Sequence, residues 1–452
     1  MKEKLTRREY VYIASMLFGM FFGAGNLIFP VHMGQLAGAN VWPAIAGFLV
    51  TGVGLPLLGV AALGISRSSG LFELGSRIGR PYSLFFTCML YLTIGPFFAI
   101  PRCATTSFTV GIENVMPEGA NATIYLLVFS LVFFAIALFF SLRPGKIMVW
   151  IGKLLNPCFL AFLGILVVVA MLNPSTSASE VVPQDSYVTQ SFFTGFLEGY
   201  NTMDALASLA FGIVVVHVIQ GLGIEDPDKV ARSTVKAGFF SCILMAVIYI
   251  AVTIVGVQSR GLFETSENGG IALAQIAQHY LGNVGLFVLA ATVTLACLKT
   301  SVGLITSCAE TFNELFPKGP SYRVWAIIFS LMSFTFANVG LNAIISYAVP
   351  ILMFLYPLAI TLILLSLFGR FFQYDRVVFV WTTGLTLIAA IHDLITSLPE
   401  GAFRAIGGDR IPDAVLNFLP FSDIGLAWLV PAILGFAIGL VFHFAKGNRK
   451  AA

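Results

Sequence analysis

Charge is what this 452-residue sequence lacks. Asp, Glu, Lys and Arg together make up 10% of it, against about 25% of an ordinary soluble domain. A water-soluble globule cannot cover its surface with so few charges, so soluble enzymes and nucleic-acid-binding proteins are excluded as classes. The formal net charge of +3 is also too small to argue for a polyanionic partner. GxxxxGK[ST], HExxH, GxSxG and CxxC are all missing from the sequence. Their absence argues against ATP hydrolysis by a phosphate-binding loop, metalloprotease chemistry and a nucleophile elbow. Acids and histidines do not cluster as an enzyme would need, and nothing suggests an organic cofactor or an obligate protein partner. The six cysteines, Cys88, Cys103, Cys158, Cys242, Cys297 and Cys308, all fall in apolar stretches. They read as small apolar residues, neither disulfides nor a metal cluster.

What is present is hydrophobic. Apolar residues make up 58% of the chain, mean hydropathy is +0.91, and there are 42 Phe and 43 Gly. A helix needs about 20 apolar residues to cross a bilayer. Such stretches recur at 10–34, 43–65, 83–111, 122–141, 147–172, 192–217, 232–257, 284–313, 323–338, 341–369, 376–396 and 424–445. The expectation is an all-α integral membrane protein of about twelve transmembrane helices. The basic N-terminus runs into an apolar stretch longer than a signal-peptide core, so it reads as an uncleaved first span. The segment 270–281 has helical spacing and is expected at the surface.

Lysine and arginine test the topology. With the N-terminus placed in the cytoplasm, twenty of the 25 basic residues fall on the inside. They run from Lys2 and Arg7 through Arg232, Lys236 and Arg370 to Lys446, Arg449 and Lys450. Arg260, Arg404 and Arg410 fall outside, and Arg102 and Lys299 lie within spans. Losing one helix would exchange the two sides for everything after it. Both termini are therefore expected in the cytoplasm.

Two spans carry residues that make poor helix. The first contains Phe22-Gly23-Ala24-Gly25-Asn26-Leu27-Ile28-Phe29-Pro30, and the sixth contains Gly199-Tyr200-Asn201-Thr202-Met203-Asp204. Broken backbone at mid-bilayer is tolerated only where it lines a cavity or is buried in protein. The two spans are five apart, so they run in opposite directions. Interrupted helices at matching places of two inverted halves point to a secondary transporter with its site at the midplane. The organisation expected is a five-plus-five inverted repeat, 10–172 and 192–369, followed by two additional C-terminal helices, 376–445.

Unwinding a helix frees amides on one side and carbonyls on the other. Amides at Gly25, Asn26 and Leu27 would receive a carboxylate. Carbonyls near Phe21 to Gly23 would receive an ammonium or a hard cation. A zwitterionic amino acid offers both charges at that spacing. Side chains at Gly23, Ala24 and Gly25 would block its approach to the backbone. Asp204, buried in span 6, is a functional candidate by its depth. It could accept the ammonium, help hold a cation, take a coupling proton, pair with Lys299, or only fix packing. Thr300 and Ser301, with Cys297 a turn earlier, place hydroxyls where span 1 carbonyls could complete a sodium site. The same hydroxyls often bond back to their own helix. Lys299 could supply a cation in place of the ion. Arg102 could gate an outer vestibule, but snorkelling outward is the expected state. Phe97 and Phe98, after Gly95-Pro96, could wall an apolar pocket. Glu198, Glu310 and Asp393 fall near span ends and read as interfacial.

At these residues the sequence resembles the branched-chain amino acid:cation symporter family. The similarity is carried by FGMFFGAGNLIFP in span 1, GYNTMDALASLAFG in span 6 and LKTSVGL in span 8. The resemblance covers essentially the whole chain. It implies the leucine-transporter fold, alternating access, and uptake of leucine, isoleucine and valine driven by sodium. It places Gly23, Ala24, Gly25 and Asn26 in the substrate break. Ser208 and Phe211 match substrate-side positions of the broken span 6, and Asp204, Ala205 and Phe97 are expected at the substrate beside them. Gly19 and Phe22 are implied as carbonyl ligands of sodium, opposite Cys297, Thr300 and Ser301. Lys299 and Asp204 depart from the better-studied sodium-coupled relatives. They carry the alternative, a proton-coupled transporter of the same fold.

Overall fold

The computed structural model describes residues 4–451 other than 69, 118, 144–145, 225, 413–415 and 417. Lys2 lies outside the described residues, as do the side chains of Lys146, Lys153, Cys158, Lys446, Arg449 and Lys450. Among the described residues the chain is helical throughout, with no strand.

In the first half, α1 is Arg7–Phe21, α2 Gly25–Ala37, α3 Val41–Leu49, α4 Leu55–Ser66, α5 Leu71–Ser76, α6 Arg80–Leu92, α7 Ala99–Gly111, α8 Ala122–Ser141 and α9 Lys146–Leu172. In the second, α10 is Ser191–Glu198, α11 Asp204–Gly221, α12 Pro227–Ser259, α13 Gly269–Leu315, α14 Tyr322–Ala337 and α15 Leu341–Phe368. Then come α16, Arg376–Thr396, the short α17, Glu400–Ala405, and α18, Leu429–Ala451. All twelve expected stretches fall on helix. Among the described residues, seven helical stretches are long and apolar enough to cross a membrane, and Phe159–Leu172, Tyr322–Ala337 and Leu429–Ala445 are shorter apolar helices.

Local chemistry sets the ends. Thr6 opens α1 with a capping box: its backbone N–H donates to Glu9 Oε2 at 2.7 Å and its hydroxyl accepts from the Glu9 amide. Asn121 caps α8 through the amides of Thr123 and Ile124, and Asp375 caps α16 through that of Val377. A π-helical turn at Thr93–Phe97 joins α6 to α7. Pro96 has no N–H to return to the preceding turn, and the Cys308 thiol of α13 donates instead to the Tyr91 carbonyl at 3.4 Å.

The broken helices pack on helices of the opposite half. Between α2 and α12, a β-carbon on Gly34 would strike the Thr253 carbonyl, and one on Gly256 would strike that of Val31. Between α3 and α10 the same holds for Gly47 against Phe192 and Gly195 against Ala44. These four glycines let backbone lie directly on backbone.

The segment 270–281 is not a surface helix. It is the first part of α13, capped by Asn268 and turned at Gly282 (φ 65°). Ala272, Ile276 and Ala277 are fully buried, and Gly269 lies against the Ile28 carbonyl of α2. Its apolar spacing serves packing. Asp393 is likewise no interfacial residue: it is buried in α16 beside His392.

Candidate functional site

The first break is three residues long, Phe22–Ala24, between α1 and α2. The Phe22 amide still closes α1 by donating to the Phe18 carbonyl at 2.8 Å, but its ψ of 101° turns the chain out of the helix. Ala24 is the N-cap of α2, and no side chain caps that turn. The Leu27 amide is taken by the Ala24 carbonyl at 3.2 Å. Of the three amides expected to open this half-helix, that of Leu27 is thus already engaged within the turn.

The second break is a 3-10 turn, Gly199–Thr202, followed by Met203 in the left-handed region at φ 64°. A residue with a β-carbon held there stores strain of about 1–3 kcal/mol. Several bonds hold it in place. Thr51, in the π-helical turn Val50–Gly54 between α3 and α4, donates to the Phe196 carbonyl at 2.7 Å. Thr202 donates to the Gly199 carbonyl at 2.9 Å and accepts from the Asp204 amide at 3.3 Å.

One buried amide connects the two breaks. Asn26 Oδ1 accepts from the Gly23 amide at 2.7 Å, within its own break. Its Nδ2 donates to Asp204 Oδ2 at 2.5 Å and to the Tyr249 hydroxyl oxygen. The Tyr249 hydroxyl donates in turn to the same Asp204 oxygen at 3.0 Å. Asn26, Asp204 and Tyr249 are each 1–2% exposed. A carboxylate at that depth is tolerated only with such hydrogen bonds. Phe22 stacks on the Tyr249 ring at 6.4 Å and Phe48 meets it edge-on at 5.2 Å, which fixes the ring.

Arg102 of α7 does not snorkel. It is 4% exposed, and its Nη1 donates to the Asn201 carbonyl of the second break at 2.6 Å. Its guanidinium stands 5.1 Å from the Phe29 ring. A β-carbon on Gly25 would lie 2.8 Å from Arg102 Nη2. Arg102 is therefore a cation beside Asp204 and both breaks.

The span 8 residues meet the first break from the other side. A β-carbon on Gly23 would stand 3.6 Å from Thr300 Cγ2 and 3.8 Å from its Oγ1. Ser301 is fully buried, with its hydroxyl by the Cys103 thiol. Hydroxyl oxygens such as those of Thr300 and Ser301 are the donors a hard cation prefers. The Cys297 thiol faces that of Cys103, and sulfur is a soft donor that suits a hard cation poorly. Gly19, Phe211, Lys299 and Thr300 line one cavity of about 440 Å³ with Met20 and Glu310.

Two expected residues, Ser208 and Phe97, have packing partners on other helices. Ser208 bonds back to the Ala205 carbonyl at 2.6 Å and lies against Gly59 of α4, so it packs two helices. Ala205, beside the Asp204 turn, is fully buried. The Phe97 ring packs edge-on against Phe336 of α14 at 5.3 Å. Sequence reasoning missed Tyr249 and Cys103. Tyr249 carried one weak signal, a phenol hydroxyl in the apolar middle of α12.

A match to the family described as branched-chain amino acid transport protein covers residues 6–446. The chain is 52% identical over 439 residues to a branched-chain amino acid permease, BrnQ, of Lactobacillus delbrueckii subsp. lactis, covering 97% of each chain. It is 41% identical to the BrnQ permease of Bacillus subtilis, covering 99% of each. Its fold is that of Mhp1, a nucleobase-cation-symport-1 family transporter, with a TM-score of 0.58 and 15% identity over 97% of this chain and 93% of that one.

Proposed function

We propose, from the premise that this chain belongs to the branched-chain amino acid transport protein family, that it imports leucine, isoleucine and valine in symport with sodium by alternating access. It is a multi-pass membrane transporter, not an enzyme. The observation that carries the reading is the meeting of the two helix breaks through Asn26 and Asp204, with Thr300 facing Gly23.

In this reading the substrate carboxylate sits on the Gly25 and Asn26 amides. The apolar side chain is held near Phe211. Apolar contact separates ligands differing by one methylene by only about 1–3 kcal/mol, so one pocket serves all three amino acids. Carbonyls of Gly19 and Phe22, with Thr300 and Ser301, would hold sodium, and sodium would supply one positive charge to the zwitterion's passage. That charge adds about 2.3 kcal/mol of drive per 100 mV of membrane potential. The two five-helix repeats, with both termini in the cytoplasm, would expose this site to each side in turn.

Proton coupling is the second reading. Lys299 lines the same cavity as Thr300, and this supports a reading in which its ammonium stands in for the ion. Leucine uptake into proteoliposomes separates the two. A sodium gradient at clamped pH must drive accumulation, and accumulation driven by the pH gradient alone overturns sodium coupling.

A further inference from the structure

We propose that the end of the molecule bearing the start of α12 carries a two-lobed site for an anionic glycerophospholipid. There α12 forms a ridge between two cavities, and Lys236 lines both. The first, about 520 Å³, lies between α1, α9 and α12, with Arg7 at its rim and Phe18, Leu160 and Leu244 among its walls. The second, about 670 Å³, lies on the other side of the ridge, with Arg232 from α12 and Arg370 from beyond the end of α15. Every charged side chain lining the two cavities is a cation: Arg7, Arg232, Lys236 and Arg370. No acid among the described residues lines either.

The apolar part has the complementary shape. Phe240 walls the first cavity and Phe239 the second. From them an exposed stripe continues along α12 through Ile243, Leu244 and Val247, at the spacing of one helical face. The Lys236 ammonium stands 4.7 Å from the Tyr10 ring centroid, which holds the charge at the mouth of the first cavity. A cationic rim over an apolar, outward-facing wall matches a phosphodiester with its acyl chains. A zwitterionic lipid brings its own ammonium, which the same rim repels. Phe18, in the wall, stacks on Phe22 at 4.8 Å, so a seated acyl chain touches the residue that packs on the start of the first helix break.

The test uses the full chain in nanodiscs of phosphatidylcholine doped with phosphatidylglycerol or cardiolipin, with retained lipid read by native mass spectrometry. The wild type is expected to retain the anionic lipid preferentially. At the strength of a juxtamembrane cation, Arg7→Gln with Lys236→Gln should cut that preference about 30-fold. Equal retention of all lipids by the wild type overturns the proposal, as does an undiminished preference in the double variant. Displacement of the lipid by inorganic phosphate would assign the rim to a soluble anion and overturns it too. A phosphatidylglycerol with a diazirine in its acyl chain, applied to the wild type, decides the matter without any variant. Labelling of the peptides around Phe18 and Phe240 supports the site, and labelling confined to other helices sinks it.

Discussion

Replacing Asp204 by asparagine separates the charge of this residue from its shape. Both donors, Asn26 Nδ2 at 2.5 Å and the Tyr249 hydroxyl at 3.0 Å, converge on one oxygen, Oδ2. An asparagine with its oxygen in that place still accepts both. Hydrogen bonds to a charged group contribute about 1.5–3 kcal/mol and neutral ones about 0.5–1.5 kcal/mol. The framework therefore loses about 2 kcal/mol across the two bonds, and the protein should still fold and insert. Removing a charge that pairs with a desolvated ligand group costs more, about 2–5 kcal/mol. That corresponds to a rise in leucine KM or in half-saturating sodium of about 30-fold to several-thousandfold. The assay is initial leucine uptake into proteoliposomes across a matrix of leucine and sodium concentrations, beside a melting curve of the purified variant. If both constants stay within about threefold of wild type, Asp204 only fixes packing and its charge meets no ligand. If exchange persists while accumulation disappears, the carboxyl carries a coupling proton and sodium coupling falls.

Gly25→Leu should abolish leucine binding, a loss of at least about 100-fold, while the protein inserts normally, because its side chain meets Arg102 Nη2 and Phe29; tryptophan or scintillation-proximity binding at unchanged monodispersity checks this. Thr300→Ala with Ser301→Ala should raise half-saturating sodium by roughly tenfold or more with the order of leucine, isoleucine and valine unchanged, and an unaltered sodium requirement removes these hydroxyls from the ion site. Arg102→Lys keeps a cation but forfeits the guanidinium fork across the second break, so leucine KM should rise about tenfold; a wild-type KM would leave Arg102 without a part in closing the break.

The breaks were legible because glycine, asparagine and proline weaken a helix, and in the middle of an apolar span they mark the place where the backbone opens. The same holds for the facing position of Thr300, once the two halves are taken as inverted. The partners across the site were not legible. Lys299 is the conspicuous intramembrane cation of the second half, yet Arg102 of the first half stands beside the Asp204 break. Sequence separation says nothing about which helix face meets which. Arg102 looked able to reach the interface because its stem is long, and only the structure shows the open carbonyl of Asn201 within 2.6 Å. Tyr249 gave no spacing to read, since it is one of several hydroxyls on α12 and nothing singles it out until its neighbours are known. Ser208 went the other way. Its place in a motif suggested ligand, but Gly59 leaves room for it between helices.

The glycine contacts between α2 and α12 and between α3 and α10 limit how such a carrier can move. Where main chain rests on main chain, no side chain is left to change rotamer and absorb a displacement. In the proposed alternating access each pair would have to move as a rigid unit, carrying its part of the solute's cradle with it. An alanine in place of Gly34 or Gly195 would push the paired main chains apart and jam the hinge rather than the lock.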